Sequence, residues 1–197
     1  MEPTEIGRRS IRLNDYEYRS PGSYFVTICA TRREPLFGRL VDNNVLLSAI
    51  GIVLDACWRE IPDHFPHVTL DESMIMPDHF HGILTLTDTS AEARHAVSRP
   101  QRAMDAQGAR HAVPLPPPGE TFARPVAGSL PTIVRSFKSA VTRAARDVTS
   151  SARQRIWQRG YHEHIVRDHA ELDRIRRYIA GNPLRATRAS LLRPHGA

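Results

Sequence analysis

The chain has 197 residues, with 27 Lys and Arg against 21 Asp and Glu, a net charge of +6 and 41% hydrophobic residues. That length suits one domain of ordinary size rather than two, and no run approaches the ~20 uninterrupted apolar residues of a membrane helix. Cys29 and Cys57 form neither a disulfide framework nor a CxxC zinc pattern, so a soluble protein of a reducing cytoplasm, associated with the nucleoid rather than a membrane, is expected.

The positive charge is carried by arginine, since Lys138 is the sole lysine. Guanidinium stays charged at any useful pH and meets phosphate in bidentate fashion, so the excess points to a polyanionic partner. Residues 1–20 read as a basic arm, with Arg8, Arg9 and Arg12 close together and no apolar period. SYFVTICAT at 23–31 is β-branched and aromatic between Pro21-Gly22 and a charged turn, the pattern of a buried strand. From Leu46 to His64, apolar Ile50, Val53, Leu54, Cys57, Trp58 and Ile61 recur at helical spacing behind Ser48, which predicts the first helix.

His67 to Met76 alternates as a strand, and Pro77-Asp78 turns it into a second one, HFHGILTLT at 79–87. Residues 88–127 lose all periodicity, cluster prolines at 114 and 116–118 and repeat ARHAV, and read as a flexible insertion. Ser129 to Asp147 returns to helical spacing, with Ser129 as a candidate cap and Pro131 in the first turn. A short strand at Tyr161–Val166 and a last helix from Asp168 to Gly181 complete the order, before a tail at 187–197. The order strand, helix, strand, strand, helix, strand, helix predicts an α+β, ferredoxin-like split βαβ sandwich with an antiparallel sheet and an added C-terminal helix.

Three features carry chemistry. His79 and His81, two apart in a strand, leave the same face and can share a divalent cation, although such a pair by itself equally fills a polar gap. Tyr178 and Asn182 lie one turn apart on the last helix with Arg174 one turn before, a face that either presents a hydroxyl beside cations or continues the core stripe of Leu172, Ile175 and Ile179. His162, Glu163 and His164 alternate in a strand, so they cannot form one cluster and read as structural; Trp58 and Trp157 read as core anchors.

MPDHFHGIL at 76–84, WQRGYHEHIVRD at 157–168 and RRYIAGNPLRA at 176–186, with SYFVTICATRREPLFG at 23–38, together resemble the REP-associated tyrosine transposases, relatives of the insertion-sequence-200-like single-tyrosine enzymes of the HUH class. The resemblance covers residues 20–87 and 128–186, implying one transposase domain at 21–186 interrupted by the Pro-rich insertion. It implies Tyr178 as nucleophile, His79, His81 and Asn182 as ligands of Mg²⁺ or Mn²⁺, and single-stranded or hairpin DNA as substrate. The implied reaction is nicking and strand transfer through a 5′-phosphotyrosine, performed by a monomer. Arg8, Arg9, Arg12, Arg135, Lys138, Arg143, Arg174 and Arg177 are the candidate phosphate contacts. Two alternatives stand beside it: a domesticated relative that binds structured DNA or RNA without cutting, and a hydrolase whose histidines activate water.

Overall fold

The computed structural model describes residues 18–88, 126–149 and 155–191, the side chains of 188–191 excepted. Arg8, Arg9 and Arg12, the insertion at 88–127 apart from its ends, and the tail beyond 191 lie outside the described residues. The elements in chain order are β1 (Gly22–Cys29), a 3₁₀ turn (Thr31–Arg33), β2 (Gly38–Val41), β3 (Asn44–Leu47), α1 (Ala49–Arg59), α2 (Ile61–His64), β4 (Val68–Ile75), β5 (His79–Leu86), α3 (Leu130–Val148), β6 (His162–Ile165), α4 (His169–Ala180) and α5 (Asn182–Leu191).

Four strands form one antiparallel sheet in the order β4-β5-β1-β6, and β2 pairs only with β3. Opposite residues in an antiparallel pair share a face, so the register sorts the side chains directly. Tyr24, Val26 and Ile28 of β1 lie opposite Leu84, Gly82 and Phe80 of β5 on the first face. Both helices α1 and α3 cover that face with Ile50, Leu54, Trp58, Ile133, Val134, Phe137 and Val141, all buried. Trp58 and Trp157, 2% and 7% exposed, are core anchors as expected.

Phe25, Thr27 and Cys29 lie opposite Ile83, His81 and His79 on the second face, which β6 extends with His164 and His162 and β4 with Met74. The helix α4 crosses this side. Its anchor is Ile179, which is fully buried, and a fork in which Arg176 donates through Nη2 to Asp71 Oδ2 at 2.6 Å and through Nε to Oδ1 at 3.0 Å. Asp71 sits where the β4–β5 register slips between Leu70 and Ser73, and such a bulge re-aims side chains out of strict alternation.

Three boundaries differ from the periodicity. The helix expected from Leu46 begins at Ala49, because Leu46 and Leu47 belong to β3 and Ser48 caps the helix, accepting from Gly51 N at 3.1 Å while its hydroxyl donates to Leu36 O at 2.6 Å. The β2–β3 hairpin, absent from the expected order, turns on Asp42 and Asn43, both at positive φ (47° and 63°), a conformation these two residue types tolerate and a two-residue turn requires. Finally, Asn182-Pro183 does not end the helical region but opens α5, with proline in a first turn whose N–H would be unpaired anyway. Ser129 does precede α3, but its hydroxyl meets Thr132 Oγ1 at 3.3 Å instead of a backbone N–H of the first turn.

Candidate active site

Period-two geometry places His79 and His81 on the second face, and their neighbours fix how the rings stand. His79 Nδ1 is 2.6 Å from Asp78 Oδ1, His81 Nδ1 is 2.8 Å from Thr27 Oγ1, and the two Nε2 atoms face each other at 3.1 Å. His81 is buried, and burial first, then the neighbouring His79 and Arg33, pushes its pKa down to about 3. Its imidazole is therefore neutral near pH 7, the state in which a ring nitrogen can ligate a metal.

The rings suit a cation. Two imidazole nitrogens bound at roughly 2.1 Å and at right angles around one ion would lie about 3 Å apart, which is the 3.1 Å separation found between the two Nε2 atoms. Asn182 is buried, and its Nδ2 has no hydrogen-bond partner. Among the described residues no group of three or more His, Cys, Asp or Glu side chains is arranged to hold a metal ion. Cys29 shares the face beside His79, but burial raises its thiol pKa and keeps it protonated.

Tyr178 does not continue the core stripe. Its side chain is 45% exposed, and it stands edge-on to two rings of the sheet, His81 at 5.5 Å and Phe25 at 6.2 Å between centroids. Phe25 in turn stacks on His81 at 5.4 Å. Arg174 and Arg177 are exposed on α4, and the cation over the phenol ring is Arg185 of α5, whose guanidinium carbon lies 4.6 Å from the ring centroid. Arg185 Nη2 also donates to the carbonyl of Tyr178, tying the helix α5 to the end of α4.

The remaining candidates fall elsewhere. Arg135 and Arg143 are exposed on α3, on the far side of the sheet from the histidines. Lys138 is half-buried there, with its ammonium donating to Gln158 O and Gly160 O at 2.9 Å each, and burial brings its pKa down to about 8. Those contacts make it a brace for the 158–160 segment. A cavity of about 430 Å³ beside it is lined by Ser139, Thr142, Arg143, Arg146 and Trp157. His164 meets Glu171 Oε1 at 2.9 Å, an arrangement that joins β6 to the first turn of α4 and supports the structural reading of the His162–His164 run. Thr27, Asp78, Phe25, Arg33 and Arg185 complete the surroundings of the histidines and the tyrosine, and nothing in their spacing along the chain announces this.

No family model matches the sequence. An uncharacterized protein of Haemophilus influenzae is 38% identical over 177 residues, covering 90% of this chain and 88% of its own. The chain belongs to the family of that Haemophilus influenzae protein. Among solved structures, this family member is similar to a REP-associated tyrosine transposase bound to a REP hairpin, at 17% identity and a TM-score of 0.53 over 88% of this chain and 74% of that one. At such identity the likeness is one of fold: a mixed α/β arrangement in which helices pack on an antiparallel four-stranded sheet.

Proposed function

We propose that this chain is a metal-dependent enzyme that nicks and rejoins single-stranded DNA through Tyr178. One observation carries the reading: an exposed tyrosine stands edge-on to His81, whose Nε2 faces that of His79 at a separation suited to one shared ion. A nucleophile and a cation-competent imidazole pair thus occupy one surface of one chain, which supports a site complete within a monomer. The sheet order β4-β5-β1-β6, with every pairing antiparallel, supports reading the domain as the ferredoxin-like split βαβ plan with Tyr178 on the added helix.

His79, His81 and the amide of Asn182 would hold Mg²⁺ or Mn²⁺. When bound there, such an ion supplies Lewis-acid polarisation of a scissile phosphate. The phenol of Tyr178 attacks phosphorus, forming a phosphotyrosine on the 5′ side while the 3′ oxygen leaves and takes up the proton the phenol gives up. Attack by a DNA 3′-hydroxyl reverses these bonds and joins strands without an external energy source, because the phosphoester is exchanged and never hydrolysed. Arg185, whose guanidinium lies over the Tyr178 ring, suits the charge of the phosphate that the phenol attacks. Exposed Arg174 and Arg177 flank the tyrosine on its own helix and suit the phosphates on either side of the cut.

The proposed substrate is a palindromic DNA repeat that folds into a hairpin, a reading supported by the structurally similar transposase, which is bound to a REP hairpin. Fluorescent hairpins, incubated with the full chain and Mn²⁺ or chelator and resolved on denaturing gels, test the reading. A metal-dependent protein–DNA adduct lost in Tyr178→Phe and kept in Tyr161→Phe is expected. Salt-sensitive binding with no adduct would make the chain a non-cutting binder, and cleavage surviving Tyr178→Phe would transfer the role of nucleophile to water.

A further inference from the structure

The histidine pair poses a protonation problem that its neighbours solve. Two Nε2 lone pairs at 3.1 Å repel unless a proton or a cation stands between them. The Asp78 carboxylate only accepts hydrogen bonds, so the proton of a neutral His79 is held on Nδ1 and its Nε2 is a lone pair. Thr27 Oγ1 can accept or donate, so it satisfies His81 Nδ1 whether that nitrogen carries a proton or not. Asp78 is itself oriented: its Oδ2 faces Arg33 Nη1 at 3.3 Å while Oδ1 faces the ring. Arg33 reaches it from a turn in which Arg32 and Arg33 both adopt positive φ (52° and 58°), a conformation L-residues seldom take and which is concentrated at functional sites.

We infer that Asp78 and Thr27 are positioning residues for the cation site, Asp78 locking His79 with Nε2 free and Thr27 allowing His81 to exchange tautomers when the ion arrives. Without metal, His81 donates Nε2–H to His79 Nε2 and accepts at Nδ1 from the Thr27 hydroxyl. An ion taken by both Nε2 atoms would require the His81 proton on Nδ1, where the Thr27 hydroxyl could accept it, and no proton would be gained or lost overall. The inference rests on the metal-binding reading above, and it assigns each outer partner a different task. Arg33 adds a directional element. In Asp78→Asn the amide carbonyl turns to Arg33 and the NH₂ group to His79 Nδ1, which forces the His79 proton onto Nε2.

The test has one arm that needs no metal. Nitrogen-15 spectra of the metal-free full chain read the tautomers: His79 protonated at Nδ1 and His81 at Nε2 in wild type, His79 moved to Nε2 in Asp78→Asn, and returned to Nδ1 in the Arg33→Ala/Asp78→Asn double variant. Adding Zn²⁺ as a diamagnetic probe should move His81 to Nδ1–H in wild type, and in Thr27→Val only at higher Zn²⁺ concentration. Mn²⁺ titrations followed by electron paramagnetic resonance should show binding weakened by about 10- to 100-fold in Asp78→Asn and in Thr27→Val, and abolished in His79→Ala and His81→Ala. Unchanged tautomers and unchanged Mn²⁺ affinity in both positioning variants, with binding still lost in the histidine variants, overturn the inference and leave the metal reading intact. A wild-type chain that binds no Mn²⁺ overturns both. Near-UV circular dichroism verifies folding, and Thr27→Val, isosteric and on a different strand, decides the matter alone if Asp78→Asn unfolds.

Discussion

Gly82→Ala tests the packing beneath the histidines. Gly82 follows His81 on β5 and faces the opposite layer, where a Cβ would stand 2.6 Å from Trp58 Cζ2, 2.8 Å from Cη2 and 2.9 Å from Phe80 Cε1. Carbon atoms pack at about 3.5–4.0 Å, so something must retreat by roughly 1 Å. The indole cannot do so freely, since Trp58 packs edge-on against Phe80 and Phe137 at centroid distances of 4.7 and 5.4 Å. Overpacking of this kind costs about 1–3 kcal/mol, or roughly 2–12 °C in melting temperature for a chain of this size. Both clashing indole atoms belong to the benzo ring that phenylalanine lacks, and Trp58 Nε1 is buried without a hydrogen-bond partner, so Trp58→Phe forfeits no hydrogen bond. Urea and thermal unfolding of both single variants and the double should therefore show a favourable coupling of about 1 kcal/mol or more. A Gly82→Ala chain as stable as wild type, or a double variant whose losses merely add, would refute the argument that the bare glycine exists to admit the indole.

Asp71 is held below the usual carboxylate pKa first by the hydrogen bonds from Arg176, so its contribution is present above about pH 4 and lost as pH falls through the lowered value; Asp71→Asn should flatten the acid limb of a stability-versus-pH curve below about pH 4. Arg185→Ala should slow adduct formation by Tyr178 about 2- to 5-fold, the equivalent of ~0.5–1 kcal/mol for an exposed cation over a ring, and lower the melting temperature by no more than about 4 °C. Arg174→Glu and Arg177→Glu should each weaken hairpin binding at low salt, and the slope of log affinity against log salt should fall by about 0.7–0.9 for every DNA phosphate that is no longer neutralised, as measured by fluorescence anisotropy. Ile179→Ala should destabilise by about 2–5 kcal/mol in urea unfolding and release the helix carrying Tyr178, because this side chain is its one fully buried anchor among the described residues.

The elements of the main sheet were legible because their signals are local. The β-branched run at 23–31 and the alternation through 79–87 specify strands with buried faces, and they are β1 and β5, paired residue by residue at the centre of the sheet. His79 and His81 could be placed on one face from periodicity alone. The β2–β3 hairpin escaped because Leu46 and Leu47 also fit the helical period of α1, although Asp42-Asn43 offered a turn signal. The helix α5 escaped because proline ends one helix and begins another with the same ring. Arg174 looked like the partner of Tyr178 by helical spacing, yet the guanidinium at the ring comes from Arg185 across a junction that periodicity cannot cross. Thr27 owes its place to a cross-strand pairing whose register a sequence pattern does not specify, whereas Asp78 directly precedes His79 and needed only the turn that aims its carboxylate back at the ring.

The pairing of β1 with β6 has a temporal side. The β4–β5 hairpin and its union with β1 need only the first 86 residues, whereas β6 reaches β1 across more than a hundred intervening residues. Closing a loop that long adds little free energy beyond that of a shorter one, because the cost grows only with the logarithm of length, but contacts so remote in sequence form late. On a ribosome the same order is imposed by synthesis. The imidazoles can therefore be assembled on their strands while the phenol, carried by α4 behind β6, and the Asn182 amide beyond it are still to be made, so the two halves of the proposed site meet only when the last helices dock.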